Sequence, residues 1–94
     1  MKLAVVIGQV VSTIKSPGFE QDRLLMVEII GSDGKPTGDV HVASDNIGAG
    51  NGEWVLVVRG SSARKAVSND APIDMSIIGI VDEVVVRDKL IFHK

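Results

Sequence analysis

The chain has 94 residues, a formal net charge of −2 and no cysteine. This length predicts one domain, residues 1–94, and the missing cysteines exclude disulfides, thiolate metal sites and a cysteine nucleophile. An acidic balance argues against a nucleic-acid groove, and no apolar run has the length of a signal peptide or a membrane span. We therefore expect a cytoplasmic domain that binds neither nucleic acid nor membrane.

Residues 3–13 are apolar on both alternating sets. This pattern predicts a first strand that is covered by the core on one side and by another layer or subunit on the other. Gly8 interrupts this strand and indicates a bulge or a close approach. After a loop, residues 23–30 predict a second strand. Residues 31–38 contain an Asp-Gly pair, which is typical of a hairpin turn. The first half of the chain therefore predicts a long strand followed by a hairpin.

The third predicted strand, residues 39–43, alternates polar and apolar side chains. Because successive side chains of a strand point to opposite faces, Asp39 and His41 share one face and Val40 and Val42 share the other. We expect Asp39 and His41 to face solvent and the two valines to face the core.

In the second half, residues 54–59 predict a fourth strand, and Ser61 or Ser62 is placed to cap a short helix. Residues 75–87 predict the longest strand, and residues 90–92 pair back on it after a turn. Short strands at this density predict an all-β fold, a small closed five-stranded OB-like barrel with one short helix, because closure removes sheet edges. A small sandwich is the alternative that this pattern leaves open.

A run of small residues precedes the fourth strand: Gly48, Ala49, Gly50, Asn51 and Gly52. The dinucleotide fingerprint needs Gly-x-Gly-x-x-Gly between a strand and a helix, whereas this run reads Gly-x-Gly-x-Gly and leads into a strand. Phosphate binding is therefore disfavoured. The run is either a tight loop or a surface where another backbone comes close.

The polar side chains form no recognisable catalytic or metal-binding motif. His41 and His93 lack the local spacing of metal ligands, and Ser61 and Ser62 lack the Gly-x-Ser-x-Gly context of a nucleophile. Asp45, just before the glycines, is placed to accept hydrogen bonds from the loop amides as an Asx turn. We predict no catalytic residues, no metal and no cofactor.

Three ordered blocks carry a resemblance that covers nearly the whole chain. They are Asp45-x-Ile47-Gly48-Ala49-Gly50-x-Gly52-Glu53-x-Val55-Leu56, then Gly60-Ser61-Ser62-Ala63-Arg64, then Pro72-x-Asp74-x-x-Ile77-Ile78-Gly79-Ile80-Val81-Asp82. This arrangement resembles the EutN/CcmL family, the vertex proteins of bacterial microcompartment and carboxysome shells, and is most similar to its ethanolamine-utilisation branch. The resemblance implies an OB-like barrel that forms cyclic pentamers. These would occupy shell vertices in the bacterial cytoplasm, among hexameric shell proteins.

The expected subunit interface lies around the glycine run. Its members are Gly48, Ala49, Gly50, Asn51, Gly52, Glu53, Trp54, Arg64 and Asp82. Arg64 fits either a solvated helix face or a contact in which it pairs with Glu53 or Asp82 of a neighbouring subunit. Trp54 fits either the barrel core or the interface. We also expect Ala49→Leu to keep the monomer fold while weakening the ring.

Two other classes of function remain as alternatives to a shell protein. An OB-like binding module for nucleic acid or another ligand would use aromatic platforms in a basic groove, but the chain has only three aromatic residues and is acidic. A small enzyme would need a catalytic set, which the sequence does not display.

Overall fold

The computed structural model describes residues 1–11, 23–60 and 75–94. These ranges contain the strands β1 Lys2–Val10, β2 Arg23–Ile30, β3 Pro36–Asp45, β4 Trp54–Arg59, β5 Met75–Ile80, β6 Glu83–Val86 and β7 Lys89–His93. None of the described residues belongs to a helix long and apolar enough to cross a membrane.

Five strands close into a barrel in the order β1-β2-β3-β5-β4, with β4 returning to β1. All neighbouring strands are antiparallel except β3 and β5, which pair in parallel at Ser44 and Asp45. Closure leaves no open edge in this sheet. The predicted all-β, closed five-stranded barrel is confirmed, and the short helix predicted after Gly60 lies outside the described residues.

The barrel interior is filled by small and branched apolar side chains, as expected for a barrel of this size. The buried cluster consists of Ala4, Val6, Leu25, Val27, Ile29, Ala43, Ala49, Val55, Val57, Met75 and Ile77. On β1 the inward Ala4 and Val6 are buried, whereas the outward Val5 is half-buried and Ile7 is exposed. The prediction that β1 is covered on both sides is therefore only partly confirmed in a single chain.

Two predicted irregularities have the expected geometry. The register of β1 against β2 shifts between Val6 and Gly8, which places a bulge there. The turn between β2 and β3 is closed by two backbone hydrogen bonds, from Gly34 N to Gly31 O and from Gly31 N to Lys35 O, each 3.0 Å long. Gly34 has φ of +80°, which explains the glycine in the Asp-Gly pair.

The predicted facing of the third strand is wrong. Val40 and Val42 are exposed, whereas His41 is half-buried. Ala43 lies in the barrel core, and the side-chain period of two then points His41 inward near the end of the barrel and both valines outward. The alternation was correctly recognised, but barrel closure assigned the apolar set to the outer face.

The long strand predicted over residues 75–87 is two strands. β5 ends at Ile80 and β6 begins at Glu83, and a bond from Val81 N to Trp54 O (2.8 Å) fixes the chain between them. β6 then pairs with β7 in a separate antiparallel hairpin. The prediction that residues 90–92 pair back after a turn is confirmed.

Candidate functional site

Asp45 organises the first half of the glycine loop, residues 46–53. Its carboxylate accepts hydrogen bonds from the backbone N–H groups of Ile47 (3.0 Å), Gly48 (3.2 Å) and Ala49 (2.9 Å). The Asp45 side chain is fully buried, and Arg23 Nη1 lies 3.3 Å from Oδ2. A buried carboxylate is costly unless it is hydrogen-bonded, and here the loop amides and one cation satisfy it. The predicted Asx-type role of Asp45 is confirmed.

Glu53 holds the second half of the loop. Its Oε1 accepts a hydrogen bond from Gly50 N (2.7 Å), and its Oε2 lies 2.8 Å from Lys94 Nζ. The backbone of Glu53 donates to Gly50 O, and Gly52 donates to Val6 O. The N–H groups of residues 47–50, 52 and 53 are thus used within the chain. A phosphate cradle needs such groups free, so this loop is built as a closed turn.

The Glu53–Lys94 pair affects the protonation of both groups. The Lys94 ammonium, followed by the N–H of Gly50, lowers the pKa of the Glu53 carboxyl below its ordinary value of 4.5. In return, Glu53 raises the pKa of Lys94 above 10.5. Each partner therefore stabilises the charged form of the other across neutral pH.

The glycines of the loop serve different purposes. Gly48 and Gly52 have φ of +87° and +83°, a region that other residues adopt at a cost. Gly50 has no positive φ, and a Cβ at that position would meet only Glu53 Oε1, at an ordinary 3.5 Å. The described residues of a single chain therefore explain the first two glycines but not Gly50.

The surface position that the Ala49→Leu expectation assumed is wrong. Ala49 is 0% exposed and belongs to the barrel core. A leucine there would overpack the interior of the subunit, which typically costs about 1–3 kcal/mol. Ala49 therefore cannot report on contacts between subunits, whereas Asn51, at the exposed tip of the loop, can.

Trp54 lies outside the barrel core and packs against the hairpin β6–β7. It is half-buried, and its ring stacks on Phe92 of β7 with centroids 4.1 Å apart and planes 14° from parallel. Asp82, at the base of the hairpin, is exposed and accepts a backbone hydrogen bond from Lys94 N (2.8 Å). The structure thus brings Glu53, Trp54 and Asp82 together with the end of the hairpin. Arg64 lies outside the described residues.

Sequence reasoning missed an apolar surface on the outside of the barrel. Met26 and Val42 are directly paired across β2 and β3, and both are exposed, by 37% and 47%. This surface could have been predicted, because both alternating sets of side chains on β1 and β2 are apolar. Whichever set faces the core, the other apolar set must point outward.

Among the described residues, no group of three or more His, Asp or Glu side chains is placed to hold a metal ion. His41 Nε2 lies 2.9 Å from Asp39 Oδ1, a contact within one strand.

Comparisons with known proteins find sequence similarity along the whole chain. The family model described as "Ethanolamine utilisation protein EutN/carboxysome" matches residues 1–82. The bacterial microcompartment shell vertex protein EutN of Salmonella typhimurium is 57% identical over 95 aligned residues, which cover 100% of this chain and 96% of that protein.

Two solved structures extend the comparison to three dimensions. The crystal structure of EutN from Escherichia coli superposes with a TM-score of 0.91 at 58% identity, covering 99% of this chain and 97% of that one. The pentameric microcompartment shell protein GrpN from Rhodospirillum rubrum superposes with a TM-score of 0.83 at 43% identity, covering 92% and 98%.

Proposed function

This chain belongs to the EutN/CcmL family, and from that membership we propose that it is a structural shell protein whose pentamers cap the vertices of a bacterial microcompartment. One observation carries the proposal: 57% identity to a named shell vertex protein along the full length of this chain. The identity to EutN proteins is 57–59%, whereas the identity to carboxysome CcmL proteins is 38–45%. This difference favours an ethanolamine-utilisation compartment in the bacterial cytoplasm.

The proposed role is geometric rather than catalytic. A cyclic ring closes on itself through a heterologous interface, in which two different surfaces of each subunit meet. Five copies arranged in this way supply curvature at a corner, and we propose that hexameric shell proteins of the same compartment surround them. The protein needs no cofactor for this role, and we propose that it is not an enzyme.

Native mass spectrometry of the purified protein tests the ring directly. Five chains of 10.0 kDa should give a particle of roughly 50 kDa. A particle of one chain at every protein concentration would overturn the proposal. Coexpression with the hexameric shell proteins tests the vertex role, since closed shells should require this chain and open or tubular assemblies should form without it.

We further propose that the exposed side of the glycine loop contacts a neighbouring subunit. The support is Gly50, whose identity neither backbone φ nor crowding within the described chain explains. Glu53 ends this loop and Trp54 follows it. Asp82 is linked to the loop through Lys94, which binds both Asp82 O and the Glu53 carboxylate. Glu53, Trp54 and Asp82 would lie at the edge of the same contact. Arg64 belongs to the same proposal through its position in the family motif.

The variant Asn51→Leu tests this contact because Asn51 is exposed in the single chain. The added bulk should leave the circular dichroism spectrum unchanged and shift the native mass toward single chains. Ser32→Leu, at the exposed turn between β2 and β3, is the matched control and should leave the ring intact. If Asn51→Leu assembles like the unchanged protein, the loop is only a turn.

A further inference from the structure

The outer faces of β1, β2 and β3 form an apolar surface, which we call the sheet face. Cross-strand pairing places Gly8, Met26 and Val42 in one row and Val5, Glu28 and Val40 in the next. Because Gly8 has no side chain, the first row is open at β1. Outward-facing strand positions are usually polar when water covers them, so this composition is typical of a face that another surface covers.

A second apolar surface lies on the hairpin β6–β7. Val85 and Leu90 are direct cross-strand partners and are 55% and 56% exposed. On the same hairpin, Phe92 is turned to the barrel and stacks on Trp54, so the hairpin carries apolar side chains toward the barrel and toward solvent. A two-stranded hairpin is marginally stable in water by itself, and covering Val85 and Leu90 would stabilise it.

The charges around the two surfaces are complementary. The hairpin turn carries Arg87 and Lys89, and within the described part of the chain neither forms an ion pair. The sheet face carries a carboxylate, Glu28, which lies between Val5 and Val40 in its second row. Contact between two sheet faces would bring like charges together. Contact between a sheet face and a hairpin turn would instead place carboxylate and cations close to each other.

From these two surfaces we infer that the hairpin of one subunit docks on the sheet face of the next, with Val85 and Leu90 against Met26 and Val42. The inference rests on the proposed pentamer and names the surfaces that join it. Two different patches of one chain meet, which is the heterologous contact that a closed ring requires. The glycine loop joins the hairpin side of this contact, because Glu53 is bound to Lys94 at the hairpin's end.

Cysteine crosslinking tests the contact cleanly, since the chain contains no cysteine of its own. The double variant Val42→Cys with Leu90→Cys is treated as the assembled protein with a short bismaleimide and run on a denaturing gel. We expect a ladder of covalent species ending at five chains. Each single variant should remain at one chain, because the two copies of a given position do not meet in a heterologous ring.

The control pairs Leu90→Cys with Ile78→Cys. Ile78 is also an exposed apolar residue, but it lies on β5, outside the sheet face, so this variant should give no ladder. Should Val42→Cys alter the circular dichroism spectrum, Met26→Cys takes its place.

The outcomes separate this inference from the proposed function. One outcome is that the untreated double variant has the native mass of about five chains and still gives no ladder after crosslinking. That result would overturn the docking but not the proposed pentamer. Covalent dimers from either single variant would show an isologous contact and also overturn it. An unchanged protein that is monomeric at all concentrations would overturn the proposed function and the docking together.

Discussion

At the scale of single residues, two carboxylates on either side of the glycine loop hold its backbone in place. Asp45 is buried and accepts from three consecutive N–H groups, whereas Glu53 is half-buried and links Gly50 to Lys94. The loop therefore presents a defined surface rather than a variable one, which is what a contact between subunits needs.

Asp45→Ala should destabilise the protein strongly. The change leaves the loop N–H groups without their acceptor and Arg23 without its carboxylate, so we expect the free energy of unfolding to fall by about 2–4 kcal/mol. Urea unfolding at equal protein concentration measures it, because assembly contributes to apparent stability. Asp33→Ala, which removes an exposed acceptor for Lys35 N, is the control and should change stability by about 0.5 kcal/mol or less. Equal effects of the two changes would contradict the role given to Asp45.

The Glu53–Lys94 pair predicts a pH dependence with a definite sign. The folded pKa of Glu53 lies below 4.5, so the pair's contribution is present above that pH and is lost as pH falls through the folded value. The folded pKa of Lys94 lies above 10.5, so the contribution is present below that pH and is lost as pH rises through the folded value.

Lys94→Met tests this coupling. We expect the pKa of the Glu53 carboxyl, followed by NMR, to rise toward its ordinary value because the first cause of its depression is removed. Lys89→Met removes a lysine that has no described contact with Glu53 and should leave that pKa where it is. A Glu53 pKa that does not respond to Lys94→Met would contradict the pairing.

At the scale of elements, the hairpin β6–β7 is an addition to the barrel rather than part of it. Contacts between described residues that attach it include the Trp54–Phe92 stack, the Glu53–Lys94 pair and the bond from Val81 N to Trp54 O. Its turn is strained, since Arg87 and Asp88 have φ of 51° and 63°. Positive φ at both central positions matches a two-residue hairpin connection, for which Asn-Gly is preferred.

Asp88→Gly should stabilise the hairpin. Glycine adopts this φ without the steric cost that a Cβ brings, so we expect a gain of a few tenths to about 1 kcal/mol. Hydrogen exchange of the β6 and β7 amides measures it as slower exchange. Asp88→Ala also removes the charge but keeps the Cβ, and it should speed exchange; if both variants slow it alike, the charge rather than φ is responsible.

At the scale of the whole molecule, the closed barrel carries exposed apolar side chains on its outer surface as well as a buried core. The sheet face and the hairpin are both apolar and both exposed in one subunit. The closed barrel sheet offers no open edge to which a strand could be added, so a contact made by this sheet would use its side-chain surface. Family membership and these two surfaces both support an oligomer in which neighbouring subunits cover the exposed apolar side chains.

The protein should not bind single-stranded DNA or RNA. Its net charge is −2, and Trp54 and Phe92 stack on each other instead of offering separate platforms for bases. Filter binding at low salt, where electrostatic attraction is strongest, should show no retention. Micromolar binding that weakens steeply with added salt would instead support the OB-like binding module.

Features that depend on short-range chemistry could be predicted from the sequence alone. Strand periodicity predicted the all-β class, the Asp-Gly pair predicted the turn after β2, and Gly8 predicted the bulge in β1. Asp45 was recognised as a loop acceptor because an Asx carboxylate bonds amides only a few residues away. The motif blocks around the glycines identified the family. Each of these inferences uses residues that are neighbours along the chain.

Tertiary structure decided what depends on distant partners. Alternation alone could not say which face of β3 points inward, and barrel closure turned Val40 and Val42 outward. Ala49 was expected at the surface, yet the loop folds it into the core. Glu53 pairs with Lys94, which is 41 positions away in the sequence. Trp54 stacks on Phe92, which belongs to a different strand. Such contacts arise only when the strands close, because local periodicity carries no information about what lies across the barrel.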